Sequence, residues 1–143
     1  MNLTVPTENN PSRFHHVGYV VASILSTAPH FAASLQAEWD GNIIHDAVQD
    51  VRVSFLRHSE PGSPMIELIE PASENSPVAS FLKKGGGLYH ICYEVRSLQA
   101  ALEYIRQTGG IIVRQPVPAI AFNNRRIAWV FTRERLLVEY LEL

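Results

Sequence analysis

The sequence predicts an α+β fold built from two tandem βαβββ modules. Three observations carry that reading: the chain repeats itself, each copy runs strand, helix and three strands, and apolar residues alternate with period two along the strands. "HHVGYVVAS" (15–23) aligns with "YHICYEVRS" (89–97) at an offset of 74, which puts His16 on His90, Val17 on Ile91, Tyr19 on Tyr93, Val21 on Val95 and Ser23 on Ser97. The same offset lays "RVSFL" (52–56) on "RIAWV" (126–130), with Arg52 on Arg126 and Phe55 on Trp129. "MIELIE" (65–70) matches "LVEYLE" (137–142) in apolar pattern; Glu67 falls on Glu139 at an offset of 72, so one loop of the second copy is two residues shorter. Three matches in the same order mark a duplication.

The elements follow in order. Residues 1–13, "MNLTVPTENNPSR", read as a loose polar leader without the apolar stretch of a secretory signal. The first module, 14–71, opens with a strand over 14–21. Ile24, Ala28, Phe31 and Leu35 then form a helical stripe, with Pro29 expected near the first turn, where it is tolerated. Strands are expected at about 42–48, 51–58 and 64–70. The linker, 72–87, contains one short helix in "SPVASFLKKGGG" that ends in glycines. The second module, 88–143, begins with a strand over 88–95. Ser97 is a suitable N-cap, Leu98, Ala101, Leu102 and Ile105 supply the stripe, and Gly109 with Gly110 stop the helix. Strands are expected at about 111–115, 125–132 and 135–142. The two modules together make a single domain.

Composition narrows the function classes. A chain of 143 residues can bury roughly two-thirds of its unfolded surface as one domain. With 46% hydrophobic and 18% charged residues it is a globular composition, and a net charge of −2 offers no large field to recruit nucleic acid or an anionic membrane. The single cysteine, Cys92, excludes an intramolecular disulfide and suits a reducing compartment. No apolar run approaches the roughly 20 residues that span a bilayer. These features together predict a soluble cytoplasmic domain.

Chemistry concentrates at four positions. Period-two alternation places Glu67 on a face with Met65 and Ile69, and Glu139 on a face with Leu137, Leu141 and Leu143. His90 lies mid-strand on the face of Leu88 and Cys92, and His16 is its copy. Each module thus contributes one histidine from its first strand and one glutamate from its last. Four titratable groups on apolar faces are costly to bury unless something compensates them. A divalent cation does so, because imidazole and carboxylate are its ligands and two carboxylates balance its charge. The alternative is two buried His–Glu pairs without a metal. Gly18 and Cys92, two residues beyond the histidines, would leave room beside an ion or simply pack closely.

Paired βαβββ modules carrying "HHVGYVV", "MIELIEP", "YHICYEV" and "LLVEYLEL" resemble the vicinal oxygen chelate (glyoxalase) superfamily. Within it, "SPVASFLKKGGGLYHICYEV" is similar to the stretch through the third metal ligand of methylmalonyl-CoA epimerases. The resemblance implies a cupped, barrel-like mixed sheet with the modules side by side, often as a homodimer. It also implies one divalent ion, zinc, nickel, cobalt, manganese or magnesium, held by His16, Glu67, His90 and Glu139. The implied reaction is metal-dependent isomerase or lyase chemistry, removing a proton next to a carbonyl through an enediolate. Glu139 is the nominated base and Glu67 the second candidate. An acyl-CoA thioester is the substrate expected of an epimerase, and a glutathione hemithioacetal that of a glyoxalase I-type lyase. A non-catalytic small-molecule binder of the resistance type is the reading from a different class.

Two departures from the epimerase pattern stand out. "QDVRVSFL" (49–56) has no glutamate where epimerases use a further acid/base carboxylate; Asp46 and Asp50 read first as turn residues. The loop "TRERL" (132–136) is short. Arg125 and Arg126 of "FNNRR" could hold an anionic substrate tail, with a solvated turn as the plainer reading for Arg125. "KKGGG" reads as linker before phosphate cradle. His15, His30, His45 and His58 have no repeat partners and read as surface or local hydrogen-bonding residues, and Tyr19 and Tyr93 as helix-packing residues.

Overall fold

A computed structural model describes residues 12–143, so the expected leader falls almost wholly outside the described residues. The first half contains β1 (Arg13–Val20), α1 (Ile24–Leu35), β2 (Glu38–Trp39), β3 (Ile44–Asp46), β4 (Val51–Arg57) and β5 (Met65–Pro71). A short helix, α2 (Ala79–Lys83), leads to β6 (Gly87–Val95), α3 (Leu98–Gln107), β7 (Ile111–Ala119), β8 (Arg125–Phe131) and β9 (Leu137–Glu142). A single 3-10 turn, Ile120–Phe122, separates β7 from β8.

Three local expectations change. The strand expected at about 42–48 shortens to β3, and an unexpected two-residue strand, β2, precedes it across a turn at Asp40 and Gly41, with Gly41 at φ +77°. β7 runs past Pro116 and Pro118, which lack an amide donor; they are accommodated because β7 is an outermost strand and its pairing with β8 shifts register between Arg114 and Val117. Pro29 is the sixth residue of α1, inside the helix and beyond its first turn. The caps are as the repeat implies: Ser23 accepts from the Ser26 amide at 3.3 Å and Ser97 from the Ala100 amide at 3.1 Å. Gly109, at φ +84°, follows α3.

The strands form one mixed nine-stranded sheet in the order β2-β4-β5-β1-β6-β9-β8-β7, with β3 also on β4. Each half carries a parallel pair, β1 with β5 and β6 with β9, and the halves join through antiparallel β1 and β6. The sheet curls but does not close into a barrel. In the β1–β6 ladder Val17 faces Ile91, its own repeat counterpart, while His16 faces Cys92 and Gly18 faces His90. A pseudo-twofold axis therefore passes between Val17 and Ile91, and the two histidines flank it.

Alternation sorts the core by face. α1 packs Ile24 and Ala28 on Leu56 and Leu68, and α3 packs Leu98, Leu102 and Ile105 on Ala128, Val130 and Val138. The other face gathers Val51, Val53, Phe55, Ile69, Ile127 and Leu141. Both helices thus cover one side of the sheet and leave the concave side for a site. Tyr19 packs edge-on against Phe31 of α1 at 5.0 Å, as expected, but Tyr93 stacks on Phe14 at 5.3 Å and not on a helix. Among the described residues no helix is long and apolar enough to cross a membrane.

Candidate metal centre

Glu67 and Glu139 reach the concave face through symmetric register: Glu67 lies beside Gly18, and Glu139 beside Cys92. The four expected side chains meet there. His16 Nε2 is 3.1 Å from His90 Nε2, 3.6 Å from Glu67 Oε1 and 3.1 Å from Glu139 Oε1. His90 Nε2 is 3.7 Å from Glu67 Oε1 and 3.5 Å from Glu139 Oε1. All four residues are buried. Aromatic rings wall the cluster in matched positions, with Phe55 edge-on to His16 at 5.8 Å and Trp129 edge-on to His90 at 4.6 Å.

The donor set fits a divalent cation. Ligand atoms of His16, Glu67 and His90 lie within 4.8 Å of one another, and those of His15, His16 and Cys92 form a second such group beside them. Glu139 Oε1, although close to both imidazoles, has no hydrogen-bond partner among the described residues. A buried carboxylate oxygen aimed at a ring of donors is what a cation would satisfy.

The two carboxylates differ. Burial, reinforced by the neighbouring Glu139 charge and only partly opposed by His16, pushes Glu67 up to about 8. Burial acts the same way on Glu139, but the adjacent imidazoles of His16 and His90 outweigh it and hold this carboxyl well below the usual range. Burial and the nearby Glu139 and Glu67 push the Cys92 thiol far up. His15 is pushed down to about 4, chiefly by burial.

The cluster opens on a cavity of about 400 Å³. Its lining combines Glu67 and Glu139 with the apolar Val51, Val53, Ile69 and Phe122, and with Tyr89 and Trp129. Sequence reasoning paired Trp129 with Phe55 but did not place either in the site; their shared strand face with Val53 and Ile127 was the available signal. Gln49 ties the halves together across this cavity, accepting from Trp129 Nε1 at 3.0 Å and donating to Asp46 Oδ2 at 2.8 Å.

Other candidates have structural work. Asp46 lines the cavity, yet its Oδ1 accepts the Val48 and Gln49 amides at 3.0 Å, so it is a turn residue as first read. Asp50, at φ +56°, accepts from the Ser73 hydroxyl. Arg125 pairs with Glu94 and Arg126 with Glu142, each at 2.8 or 2.9 Å, and neither lines the cavity. His30, His45 and His58 are exposed. Gly85 and Gly86 carry φ of +120° and +66° in the link to β6, as linker glycines do.

Gly18 and Cys92 have a sharper role than leaving room for an ion. A Cβ on Gly18 would overlap the His90 ring, so this glycine is the seat of that imidazole, and Cys92 lies under His16 by the same symmetry.

Known proteins are similar to this chain in sequence and fold. An ethylmalonyl-CoA/methylmalonyl-CoA epimerase of Cereibacter sphaeroides is 30% identical over 124 residues, covering 85% of this chain and 90% of the relative. A hypothetical protein of Bacillus halodurans superposes with a TM-score of 0.79 at 30% identity, over 92% of this chain and 94% of that one. The methylmalonyl-CoA epimerase of Mycobacterium tuberculosis superposes with a TM-score of 0.76 at 27% identity, over 91% and 87%. Residues 15–129 match the glyoxalase/bleomycin resistance protein/dioxygenase superfamily, and the chain belongs to it.

Proposed function

We propose that the chain is an epimerase-like isomerase that moves a proton on the carbon next to the carbonyl of an acyl-CoA thioester, with a divalent cation held by His16, Glu67, His90 and Glu139. The observation that carries this reading is the meeting of two imidazoles and two carboxylates, all buried, beside an apolar-walled cavity of about 400 Å³. The volume lies in the range of small-molecule sites. The names of the Cereibacter and Mycobacterium relatives support the substrate class.

A cation bound there supplies Lewis acidity, polarising the carbonyl and lowering the pKa of the adjacent C–H. The chain's own groups do the rest. Glu139, held ionised and lining the cavity, is the carboxylate able to take the proton, and inversion follows when a second group delivers a proton to the opposite face of the planar carbon. Glu67 is the second candidate. Val51, Val53, Ile69 and Phe122 exclude water from the reacting carbon.

The test is solvent exchange. Zinc- or cobalt-loaded protein is incubated in D₂O with methylmalonyl-CoA and ethylmalonyl-CoA, and deuterium uptake is read by mass spectrometry. Uptake that disappears in Glu139→Gln supports the proposal. Conversion of a glutathione hemithioacetal in place of exchange would transfer the chain to the lyases. Tight binding of either ligand without exchange would make it a binding protein.

A further inference from the structure

His16 has a polar neighbour that His90 lacks. In the β1–β6 ladder Phe14 pairs with Tyr93 and His16 with Cys92, so His15 is the extra residue of a bulge. Further along, Gly18 pairs with His90 and Tyr19 with Leu88, which makes Tyr89 the extra residue on the other strand. These are equivalent places in the repeat, one residue before each histidine. A bulge turns successive side chains toward one face of a sheet. His15 accordingly lies beside His16, with the two Nδ1 atoms 2.8 Å apart, and both rings pack on Phe122, at 5.4 and 5.7 Å. Tyr89 meets the His90 ring edge-on at 5.6 Å, and His90 Nδ1 has no hydrogen-bond partner among the described residues.

Two ring nitrogens 2.8 Å apart must share a proton, since two facing lone pairs would repel. Nε2 of His16 points at His90, Glu67 and Glu139. It can offer a lone pair to a cation only while the ring proton sits on Nδ1, and the acceptor in reach of Nδ1 is His15. We propose that His15 is a positioning residue: by accepting the Nδ1 proton of His16, it holds His16 in the tautomer whose Nε2 can ligate the metal. This rests on the metal reading above. His90 is held by a different means, its ring seated on Gly18 and lying 4.6 Å from Trp129. The duplicated site is therefore symmetric in its donors and asymmetric in what orients them.

The experiment uses zinc as the probe and the full chain. His15→Phe keeps a ring against Phe122 but removes the acceptor, while His15→Asn places an amide oxygen near the Nδ1 position. Chelator competition should show zinc binding weakened roughly tenfold to a hundredfold in His15→Phe, with most of it recovered in His15→Asn. Nitrogen NMR of the zinc-loaded wild type should place a proton on His16 Nδ1 and none on His15 Nδ1. Unchanged zinc affinity in His15→Phe overturns the assignment and leaves the metal reading intact. A proton on His15 Nδ1 in the loaded wild type also overturns it, and that measurement stands even if His15→Phe does not fold. Failure of the wild type to bind zinc overturns both.

Discussion

Gly18 stands directly opposite His90 across the β1–β6 ladder, and the ring of His90 occupies the space a Gly18 side chain would need. Gly18→Ala must therefore push the imidazole away from Glu67 and Glu139 or spread the strands. Overpacking of this kind costs about 1–3 kcal/mol. The expected outcome is a lower melting temperature in the metal-free protein together with weaker zinc binding. Cys92→Ala, which removes the sulfur beneath His16 and its contact with Glu139 but displaces neither imidazole, should hold zinc more tightly than Gly18→Ala does. Wild-type zinc affinity in Gly18→Ala, measured by chelator competition, would mean that the glycine does not seat His90.

The legibility of this site had a definite limit. The repeat offset was enough to bring His16, Glu67, His90 and Glu139 to one point, because parallel β1–β5 and β6–β9 registers preserve the period-two faces along which the residues were sorted. Period two fails at bulges. His15 and Tyr89 precede the histidines and alternation sends them to the opposite face, yet each sits at a register shift and turns beside its histidine. Nothing local in "FHHV" or "LYHI" marks a bulge, since it arises from how the two halves pair. The cross-cavity bond from Trp129 to Gln49 was illegible for a similar reason: the partners are 80 residues apart and in different copies.

The duplication also built two ion pairs, and they should differ in worth. Glu70 accepts from Arg52 Nε at 2.6 Å and from the Ile24 amide at 2.7 Å, at the first turn of α1. Its copy, Glu142, pairs with the exposed Arg126 and meets the Leu98 amide at the first turn of α3, but it is held less closely there. Losing a carboxylate from a helix N-terminus costs about 1 kcal/mol, and the part-exposed Arg52 adds little after screening. Glu70→Gln should lower the urea midpoint measurably, and Glu142→Gln should lower it by less. Neither should alter zinc affinity. Equal midpoints in the two variants would show that the α1 contact contributes no more than its copy at α3.

Glu67 makes the stability of the metal-free protein fall as pH rises through the neutral range. Its folded pKa, pushed up to about 8 from an ordinary 4.5, means that the folded chain binds this proton more tightly than the unfolded chain does. Stability contributed by the proton is complete below the ordinary value and is lost as pH rises toward 8. In a chelator, the urea midpoint should accordingly fall between about pH 5 and pH 8, and Glu67→Gln, which keeps a neutral side chain throughout, should flatten that decline. Zinc binding should become stronger over the same range, because the cation displaces the proton. A decline equally steep in Glu67→Gln would place its origin in another group.

Trp129 offers an optical reading of the centre. Its indole lies 4.6 Å from the His90 ring and forms part of the cavity wall, while its Nε1 donates to Gln49 at 3.0 Å. The other tryptophan, Trp39, donates to Ser54 Oγ at 2.7 Å and packs with the α1 side of the sheet. Cobalt, whose d-electrons quench nearby indole emission, should quench the wild type and Trp39→Phe but have little effect on Trp129→Phe. Gln49→Ala removes the hydrogen bond that joins the halves over the cavity and frees the indole to move. A red shift of Trp129 emission should follow, with a raised KM for the thioester and a smaller change in kcat, since Gln49 does not touch the four donors. If cobalt instead quenched Trp39 alone, it would be bound away from His90, and the centre assigned to the concave face would be wrong.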